Sequence, residues 1–305
     1  MRVFVTGASG FVGSAVVPEL LSHDHQVVGL ARSDAAAATI TDLGGEVLRG
    51  DVTDLDVLRA GATDADAVVH LAFRHDLMFG GDAAGAAASD RAAIETFGEA
   101  LAGTGKALTI ASGTAMLAPG RVATEEDVPL ETGHVAARGA NSVLTLALAD
   151  RGVRSSVVRL TPTVHDAGDN GFIPTVIGIA RQQGVSAYIG DGTQRWPAVH
   201  RRDAARLFRL AIEQASAGTV LHAVGEEGVP LREVAELIGE RLELPVTSIT
   251  AEEAPAHFTF LAGFLGSDVP ASSARTQELL DWHPTGVGLL EDMAAHYFGQ
   301  AGTGS

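Results

Sequence analysis

Short apolar runs alternate along the chain with longer segments in which apolar residues recur at helical spacing. Bounded apolar runs predict buried strands, and the segments between them predict helices. The predicted strands are residues 3–5, 26–33, 46–53, 67–73, 107–114, 157–162 and 218–225. The predicted helices are residues 11–21, 82–102, 141–151, 172–183, 230–238 and 288–298. This alternation predicts an α/β fold with a doubly wound parallel sheet.

Three glycines follow the first predicted strand at regular spacing, at Gly7, Gly10 and Gly13. A strand that turns tightly into a helix aims unpaired backbone N–H groups at the turn, which makes a site for phosphate. Glycine is needed where a side chain would block the phosphate or the strand–helix contact. The motif lies where its function requires, directly after a strand and at the start of a helix. The alternative is a tight turn that binds no ligand.

The segment 6–13, Thr-Gly-Ala-Ser-Gly-Phe-Val-Gly, resembles the cofactor loop of the short-chain dehydrogenase/reductase superfamily. It is similar to the extended or atypical branch, which includes epimerase/dehydratase relatives. The resemblance covers most of the chain and implies a Rossmann-type domain that binds a nicotinamide dinucleotide. The cofactor contacts that it implies, besides the ribose-phosphate residues, are Gly7, Ser9, Gly10, Phe11, Val12, Gly13, Asp51, Val52, Leu71, Ala72, Phe73, Ala111, Pro162, Thr163 and Val164.

The end of the second strand predicts which dinucleotide is bound. In this fold an acidic residue there accepts from the ribose 2′-OH of NAD, whereas an arginine suits the 2′-phosphate of NADP. This chain has Arg32 and Ser33 at that place, followed by Asp34. We therefore expect NADP(H), with NAD(H) as the less favoured cofactor.

The end of the fifth strand offers two hydroxyls for catalysis. The superfamily places a serine or threonine here, which hydrogen-bonds the reacting carbonyl. Matching Thr114 and the three residues after it to the Ser-x-x-Val pattern selects Thr114, whereas matching the first hydroxyl selects Ser112. We favour Thr114 and keep Ser112 as the alternative.

The Tyr-x-x-x-Lys pair that is typical of the superfamily is missing. The only lysine is Lys106, and the only tyrosines are Tyr188 and Tyr297, far downstream. Counting back from the sixth strand places the tyrosine position near Gly133 and the lysine position near Ala137 or Arg138. The resemblance thus leaves the usual proton transfer in doubt, although it does not affect the cofactor loop.

Three other residues are candidates for the missing functions. Arg138 could replace the charge of lysine but is a poor acid, because guanidinium stays protonated. His134 titrates in a suitable range, although it could be an ordinary loop histidine. His165, just beyond the sixth strand, is a second candidate proton donor.

Two further residues are candidate substrate contacts. His75 lies in the predicted loop 74–81, at the edge of the sheet where ligands bind, with an exposed loop histidine as the alternative. Trp196 lies in the segment 195–205, which resembles the Val-His-x-x-Asp closure of the extended branch, in which His200 and Asp203 are usually structural. The apolar segment 254–266 could roof an apolar substrate pocket or simply pack the lobe.

We expect a dinucleotide-binding core over 1–165, a substrate-lobe insertion over 166–195, a return to the core over 196–225 and a C-terminal substrate lobe over 226–300. The polar segment 166–171 reads as a mobile lid. In related enzymes, the helices near 90–102 and 141–150 build a dimer interface, so we expect a homodimer.

Composition narrows the possible partners of this chain of 305 residues. The net charge of −17 disfavours nucleic acid and anionic membranes as partners, and the absence of cysteine excludes disulfides and thiolate metal sites. No metal-ligand cluster is evident, and neither a signal peptide nor a membrane span is recognised, so we expect a cytoplasmic protein. The leading prediction is an NADP(H)-dependent oxidoreductase that acts on a small or medium carbonyl, alcohol or imine. The alternatives are a non-redox epimerase or cyclase and an NADP-binding sensor without chemistry.

Overall fold

The computed structural model of the chain describes residues 1–133 and 136–299, apart from the side chain of Phe79. The strands in these ranges are β1 (Arg2–Thr6), β2 (Gln26–Ala31), β3 (Glu46–Arg49), β4 (Ala67–His70), β5 (Ala107–Gly113), β6 (Arg154–Leu160), β7 (Thr163–His165), β8 (Ser186–Ile189), β9 (Arg195–His200), β10 (Thr219–Ala223), β11 (Glu226–Pro230) and β12 (Val246–Ile249).

Seven of these strands form one parallel sheet in the order β10-β6-β5-β4-β1-β2-β3. The chain therefore builds outward from β1 in one direction through β2 and β3, and in the other through β4, β5, β6 and β10. The strand order reverses between β1 and β4, where the carboxyl ends of the strands leave a crevice for ligands. The predicted doubly wound α/β fold is confirmed.

The strands are connected by helices that cover both faces of the sheet. The helices in the described ranges are α1 (Gly13–Leu21), α2 (Asp34–Asp42), α3 (Leu55–Asp64), α4 (His75–Phe79), α5 (Ala83–Ala100), α6 (Ala136–Ala147), α7 (Phe172–Gln183), α8 (Arg201–Gln214), α9 (Leu231–Leu242), α10 (Ala254–Phe258), α11 (Ala262–Leu265), α12 (Ala274–Leu280) and α13 (Leu289–His296). None of them is long and apolar enough to cross a bilayer.

Alternate residues of β1 show why this strand lies at the centre. Val3 and Val5 are fully buried in the core on the side of α1 and α8, whereas Phe4 is fully buried in the core on the side of α3 and α5. A strand of a parallel sheet is covered on both faces, so it needs apolar residues at every position instead of alternation. The short apolar run at 3–5 meets that requirement.

A smaller lobe stands on the carboxyl edge of this core. Its own apolar core gathers residues of α7, α9, α10, α11 and α13. Strands β8 and β12 pair in parallel within it, and the sheet β11-β9-β7 runs between lobe and core. The lobe is thus assembled from two separate stretches of chain.

Among the differences from the sequence predictions, three concern the site and the lobe. Residues 75–79 form the short helix α4 instead of a loop, and α6 begins at Ala136, five residues before the predicted start. Within the segment 226–300, which was predicted to be substrate lobe, Leu280 and Trp282 pack into the core beside α8. Burying the large Trp282 side chain against the core is favourable, so this stretch packs on the core although its neighbours in the sequence build the lobe.

Asp203, in the first turn of α8, ties this C-terminal stretch to the core. Its buried carboxylate accepts from the amides of Thr285 (3.1 Å) and Gly286 (2.7 Å) and from Arg206 Nη2 (2.9 Å). Its carbonyl accepts from Trp282 Nε1 at 3.0 Å. These contacts agree with the structural role expected for Asp203.

We predict that Asp203→Ala lowers the free energy of unfolding by about 1–3 kcal/mol, because it removes the buried carboxylate that two amides and Arg206 share as an acceptor. Asp42→Ala, which removes an exposed carboxylate at the end of α2, is the matched control and should change little. Urea unfolding followed by circular dichroism measures both variants. Equal stability of the two would show that the Asp203 contacts do not hold the C-terminal stretch.

Candidate active site

The glycine turn between β1 and α1 is as tight as its sequence predicts. Gly7 has a φ of +69°, and a Cβ added to it would lie 2.8 Å from the Ala72 amide nitrogen. A Cβ on Gly13 would overlap the Gly7 carbonyl oxygen, and the Gly10 amide donates to that same oxygen at 2.9 Å. The turn therefore lies directly against the Leu71–Ala72 backbone at the end of β4, and these two predicted contact segments come together.

The same turn presents free donors at the start of α1. The amides of Phe11 and Val12 donate to no group in the described part of the chain. Such donors at a helix N-terminus, combined with the helix dipole, favour an anion. This geometry fits the phosphates of a dinucleotide.

The predicted ribose-phosphate edge carries two arginines. Arg32 is exposed at the end of β2, while the Ser33 hydroxyl accepts from the Ala36 amide and caps α2. Burial raises the pKa of Asp51, but the hydrogen bonds from Thr53 and the charges of Arg74 and Arg32 together outweigh burial, so the pKa is lowered. Asp51 is therefore ionised within reach of both arginines.

Two details of this edge could not be derived from the sequence. Asp34, the acidic residue beside Arg32 and Ser33, forms an ion pair with Arg49 at 2.6 Å. Its negative charge is thereby partly neutralised at an exposed position. Arg74 reaches the same region from the end of β4, although 42 residues of sequence separate it from Arg32.

A chain of buried polar groups runs behind the turn. Thr6 Oγ1 lies 2.7 Å from His70 Nδ1 and accepts from the Ala72 amide at 3.2 Å. His70 Nε2 lies 3.2 Å from Asp90 Oδ1, and Asn141 Nδ2 donates to Asp90 Oδ2 at 2.7 Å. These partners are satisfied when the Thr6 hydroxyl donates to Nδ1 and Nε2–H donates to Asp90. His70, expected to be a packing residue, thus also links β1 and β4 to α5.

Asp90 carries a charge inside this chain of hydrogen bonds. Burial raises its pKa, but the hydrogen bond and charge of His70, the hydrogen bond from Asn141 and the Arg138 charge together outweigh burial, so the pKa is lowered. Because Asp90 lies on α5 and Asn141 on α6, this carboxylate joins the two helices. Neither residue was singled out from the sequence.

Arg138, the candidate substitute for lysine, lies half-buried on the first turn of α6. Its Cζ is 4.0 Å from the centre of the Phe73 ring. Burial lowers its pKa, and the Asp90 carboxylate opposes that effect. A cation that stacks on an aromatic ring and faces a buried carboxylate is held in place from two sides.

His75 lies in the same group, since its ring meets Phe73 edge-to-face at 5.1 Å. The side chain keeps exposed surface, but surrounding protein and the Arg138 charge lower its pKa. It is not among the residues that line the cleft described below. His134, the other candidate near Arg138, lies outside the described residues.

The two candidate hydroxyls are both buried. Ser112 Oγ is 2.7 Å from Ser142 Oγ of α6, which gives it a strong neutral partner. Thr114 Oγ1 donates to the Leu160 carbonyl at 3.4 Å, a long and weak hydrogen bond. Thr114 is therefore the easier of the two to release toward a ligand.

An apolar cleft of about 270 Å³ opens where the core meets the lobe. Its walls come from the segment after β5, the stretch before α6, the link between β6 and β7, and the lobe. The lining residues are Ala115, Leu117, Pro119, Leu130, Thr132, Gly133, Pro162, Trp196, Phe260, Gly263, Phe264, Ser267 and Val269. Trp196 was predicted at this site, and part of the 254–266 segment does roof the pocket. Thr132 was missed.

The His165 side chain contacts α13 and does not line this cleft. Its buried ring lies 2.9 Å from Asp292 of α13 through Nδ1 and packs edge-to-face on His200 at 5.5 Å. The predicted proton donor is therefore engaged with the lobe, because α13 returns a carboxylate that is distant in sequence.

The predicted lid at 166–171 is held by hydrogen bonds. Asp166 accepts from the Ala167 amide at 2.7 Å and from Arg201 at 3.0 Å. Asp169 accepts from the Gly171 amide at 2.7 Å and from the Tyr297 hydroxyl at 2.9 Å. Burial raises the pKa of both Asp169 and Tyr297. The polar residues that suggested mobility are the ones that fasten the segment.

Comparison with known proteins agrees with this geometry. A family model described as the NAD dependent epimerase/dehydratase family matches residues 3–224. An uncharacterized protein of Schizosaccharomyces pombe is 48% identical over 97% of this chain and 99% of that protein. A 4-hydroxy-2-methyl-3-oxo-4-farnesyl-3,4-dihydroquinoline-1-oxide ketoreductase of Stigmatella aurantiaca is 26% identical, over 84% of this chain and 79% of that protein.

The fold is also that of a solved dehydratase. The structure of the dTDP-glucose 4,6-dehydratase DesIV from Streptomyces venezuelae, with NAD and TYD bound, superposes with a TM-score of 0.77. The alignment covers 97% of this chain and 96% of that one, at 20% sequence identity. At this identity the likeness concerns the fold alone.

We predict that Gly13→Ala lowers the free energy of unfolding by at least about 1–3 kcal/mol, because the added methyl group overlaps the Gly7 carbonyl oxygen. Gly178→Ala is the control, since a Cβ there meets nothing within 4 Å and alanine favours a helix. It should be neutral or slightly stabilising in urea unfolding. A neutral Gly13→Ala would contradict the close approach in the turn.

Proposed function

Because the chain belongs to the NAD-dependent epimerase/dehydratase family, we propose that it is an NADP(H)-dependent oxidoreductase. It transfers hydride between the nicotinamide and a small or medium carbonyl, alcohol or imine with a mostly apolar body. The observation that carries the proposal is the apolar cleft, which joins Pro162, a predicted nicotinamide contact, to the aromatic wall of the lobe. A substrate in this cleft would lie beside the reacting end of the cofactor.

The chemistry of the cleft favours an uncharged substrate. None of its lining residues is charged, and most are apolar or aromatic. A nucleotide sugar carries a diphosphate, which proteins bind with arginine, lysine or rows of backbone donors. The lining therefore supports a carbonyl reductase over a nucleotide-sugar epimerase.

The glycine turn between β1 and α1 supports the binding of a dinucleotide. The glycines leave room for phosphates, the amides of Phe11 and Val12 face them, and Arg32 suits a 2′-phosphate. The Leu71–Phe73 run and residues 162–164 flank the rest of the cofactor. When bound, the nicotinamide supplies or accepts the hydride.

The protein's own contribution is to orient and polarise the substrate. Thr114 donates to the reacting oxygen when it leaves the Leu160 carbonyl, and Ser112 is the alternative. Arg138 supplies fixed positive charge near the ribose but cannot act as a proton donor. We assign that step to His134, which precedes Arg138 by four positions, as tyrosine precedes lysine in the superfamily pair.

We predict that the protein binds NADPH more tightly than NADH and that Arg32→Ala abolishes the difference. Loss of a charge-assisted hydrogen bond costs about 1.5–3 kcal/mol, so NADPH affinity should fall about ten- to a hundred-fold. Fluorescence titration measures both cofactors. Arg59→Ala, which removes an arginine paired with Glu99 on α5, is the matched control.

The NADP assignment fails if wild type binds both cofactors equally, or if Arg32→Ala keeps the preference. Weaker binding of NADH and NADPH to the same extent would place Arg32 at another part of the dinucleotide.

We predict that Thr114→Ala lowers kcat/KM for an apolar ketone about 10²–10³-fold, the usual cost of one such donor. NADPH affinity should hardly change, because the hydroxyl contacts the substrate. Ser112→Ala is the paired control for the alternative alignment.

A histidine donor also requires activity to fall as that histidine deprotonates with rising pH, and to be lost in His134→Ala.

Full activity of the Thr114→Ala, Ser112→Ala double variant would refute a catalytic hydroxyl at this edge. If wild type binds NADPH but oxidises it with no ketone or imine in a broad panel, a sensor without chemistry becomes the better assignment.

We further propose a homodimer through α5 and α6, which pack against each other at one side of the core. Val143 on α6 is 54% exposed, so it offers apolar surface that a second copy of the chain would cover. Sedimentation velocity at micromolar concentration should show a dimer that Val143→Glu dissociates. Val287→Glu, at a residue that is 42% exposed in the C-terminal turn, should leave it intact. A monomeric wild type would reject this interface.

A further inference from the structure

Arg201 brings a positive charge to the glycine turn from the second half of the chain. It is the first residue of α8, a helix that packs beside α1. Both helices lead from the carboxyl edge of the sheet, so their N-termini lie at the same edge. Arg201 is therefore next to the turn, although 190 residues of sequence separate it from Phe11.

Its guanidinium is held by three contacts. Cζ lies 4.6 Å from the centre of the Phe11 ring, and Nη1 reaches the Phe11 carbonyl at 3.5 Å. Nη2 donates to Asp166 Oδ2 at 3.0 Å. The buried Nε has no hydrogen-bond partner among the described residues. The group is thus oriented, but its hydrogen-bonding capacity is not filled.

The glycine turn has no positively charged side chain of its own to bind a diphosphate. Residues 6–14 contain neither lysine nor arginine, and the whole chain carries a net charge of −17. A diphosphate brings two negative charges to this place, where backbone amides supply only partial charges. A guanidinium supplies a full charge with several donors in a planar fork.

We propose that Arg201 contacts the diphosphate of the dinucleotide bound at this turn, so that the anion site is completed by α8. This inference rests on the proposed cofactor binding. Asp166 occupies Nη2 of the guanidinium but leaves its other donors available to the diphosphate. Arg201 therefore strengthens the binding of NADPH and NADH alike, whereas Arg32 discriminates between them.

The competing explanation is that Arg201 only fastens the segment 166–171 to the turn through Asp166. Two substitutions separate these roles. Arg201→Met and Asp166→Asn both break the ion pair, but only Arg201→Met removes the cation beside Phe11. Arg202→Met is a further control, because Arg202 is the exposed neighbour on the same helix turn.

The experiment titrates ADP-ribose, NADH and NADPH against the full-length wild type and these variants, by calorimetry. ADP-ribose contains the diphosphate but lacks the nicotinamide and the 2′-phosphate. Arg201→Met should weaken all three ligands about ten- to a hundred-fold, as expected for a hydrogen bond to a charged group. Asp166→Asn and Arg202→Met should bind within about three-fold of wild type, well below the loss expected for a hydrogen bond to a charged group. Arg201→Lys should recover part of the affinity.

Thermal unfolding without ligand checks that each variant is folded. Wild-type affinity in Arg201→Met, or a loss in Asp166→Asn as large as in Arg201→Met, would overturn the inference. Failure of the wild type to bind any of the three ligands would instead refute the proposed cofactor, which keeps the two failures distinguishable.

Discussion

The candidate site depends on one buried carboxylate, that of Asp90. It accepts from His70 and Asn141, so it fixes the end of β4 and the helices α5 and α6 relative to one another. Through His70 it reaches Thr6, the residue before the glycine turn. It also faces the charge of Arg138. A buried charge is tolerated only when it is fully paired, so these elements can occupy few other arrangements.

In the proposed function, Arg138 stands in for the lysine that is typical of the superfamily. Arg138 occupies the start of α6 with a permanent charge, held between the Phe73 ring and Asp90. The exchange keeps a cation near the predicted ribose but removes a group that can adjust the pKa of a tyrosine. In the superfamily, one Tyr-x-x-x-Lys pair supplies both the positive charge and the proton transfer. In this chain, different residues must therefore supply these two functions. The uncharged cleft fits a chemistry that needs a polarised carbonyl more than a strong base.

The sequence predicted the features that depend on neighbouring residues and missed the contacts that the fold makes between distant residues. The turn from Gly7 to Gly13 and the parallel sheet follow from glycine spacing and apolar runs, because both are written in neighbouring residues. The Asp90–His70 pair, the Ser112–Ser142 pair and Arg201 join residues that are far apart in the chain. Polar residues at 166–171 suggested mobility, since their partners on α8 and near the C-terminus carry no local signal. Asp292, the partner of His165, likewise lies far away in the chain and carries no local signal.

The most direct test follows deuterium from NADPH that carries deuterium at both C4 positions of the nicotinamide into an apolar ketone, with mass spectrometry of the product. We expect one deuterium on the new carbinol carbon of each alcohol, in stoichiometric amount with the NADP⁺ formed. Substrate conversion without net NADPH oxidation would mean that the cofactor is recycled, as in an epimerase. Tight NADPH binding with no transfer to any ketone or imine would contradict the proposed oxidoreductase.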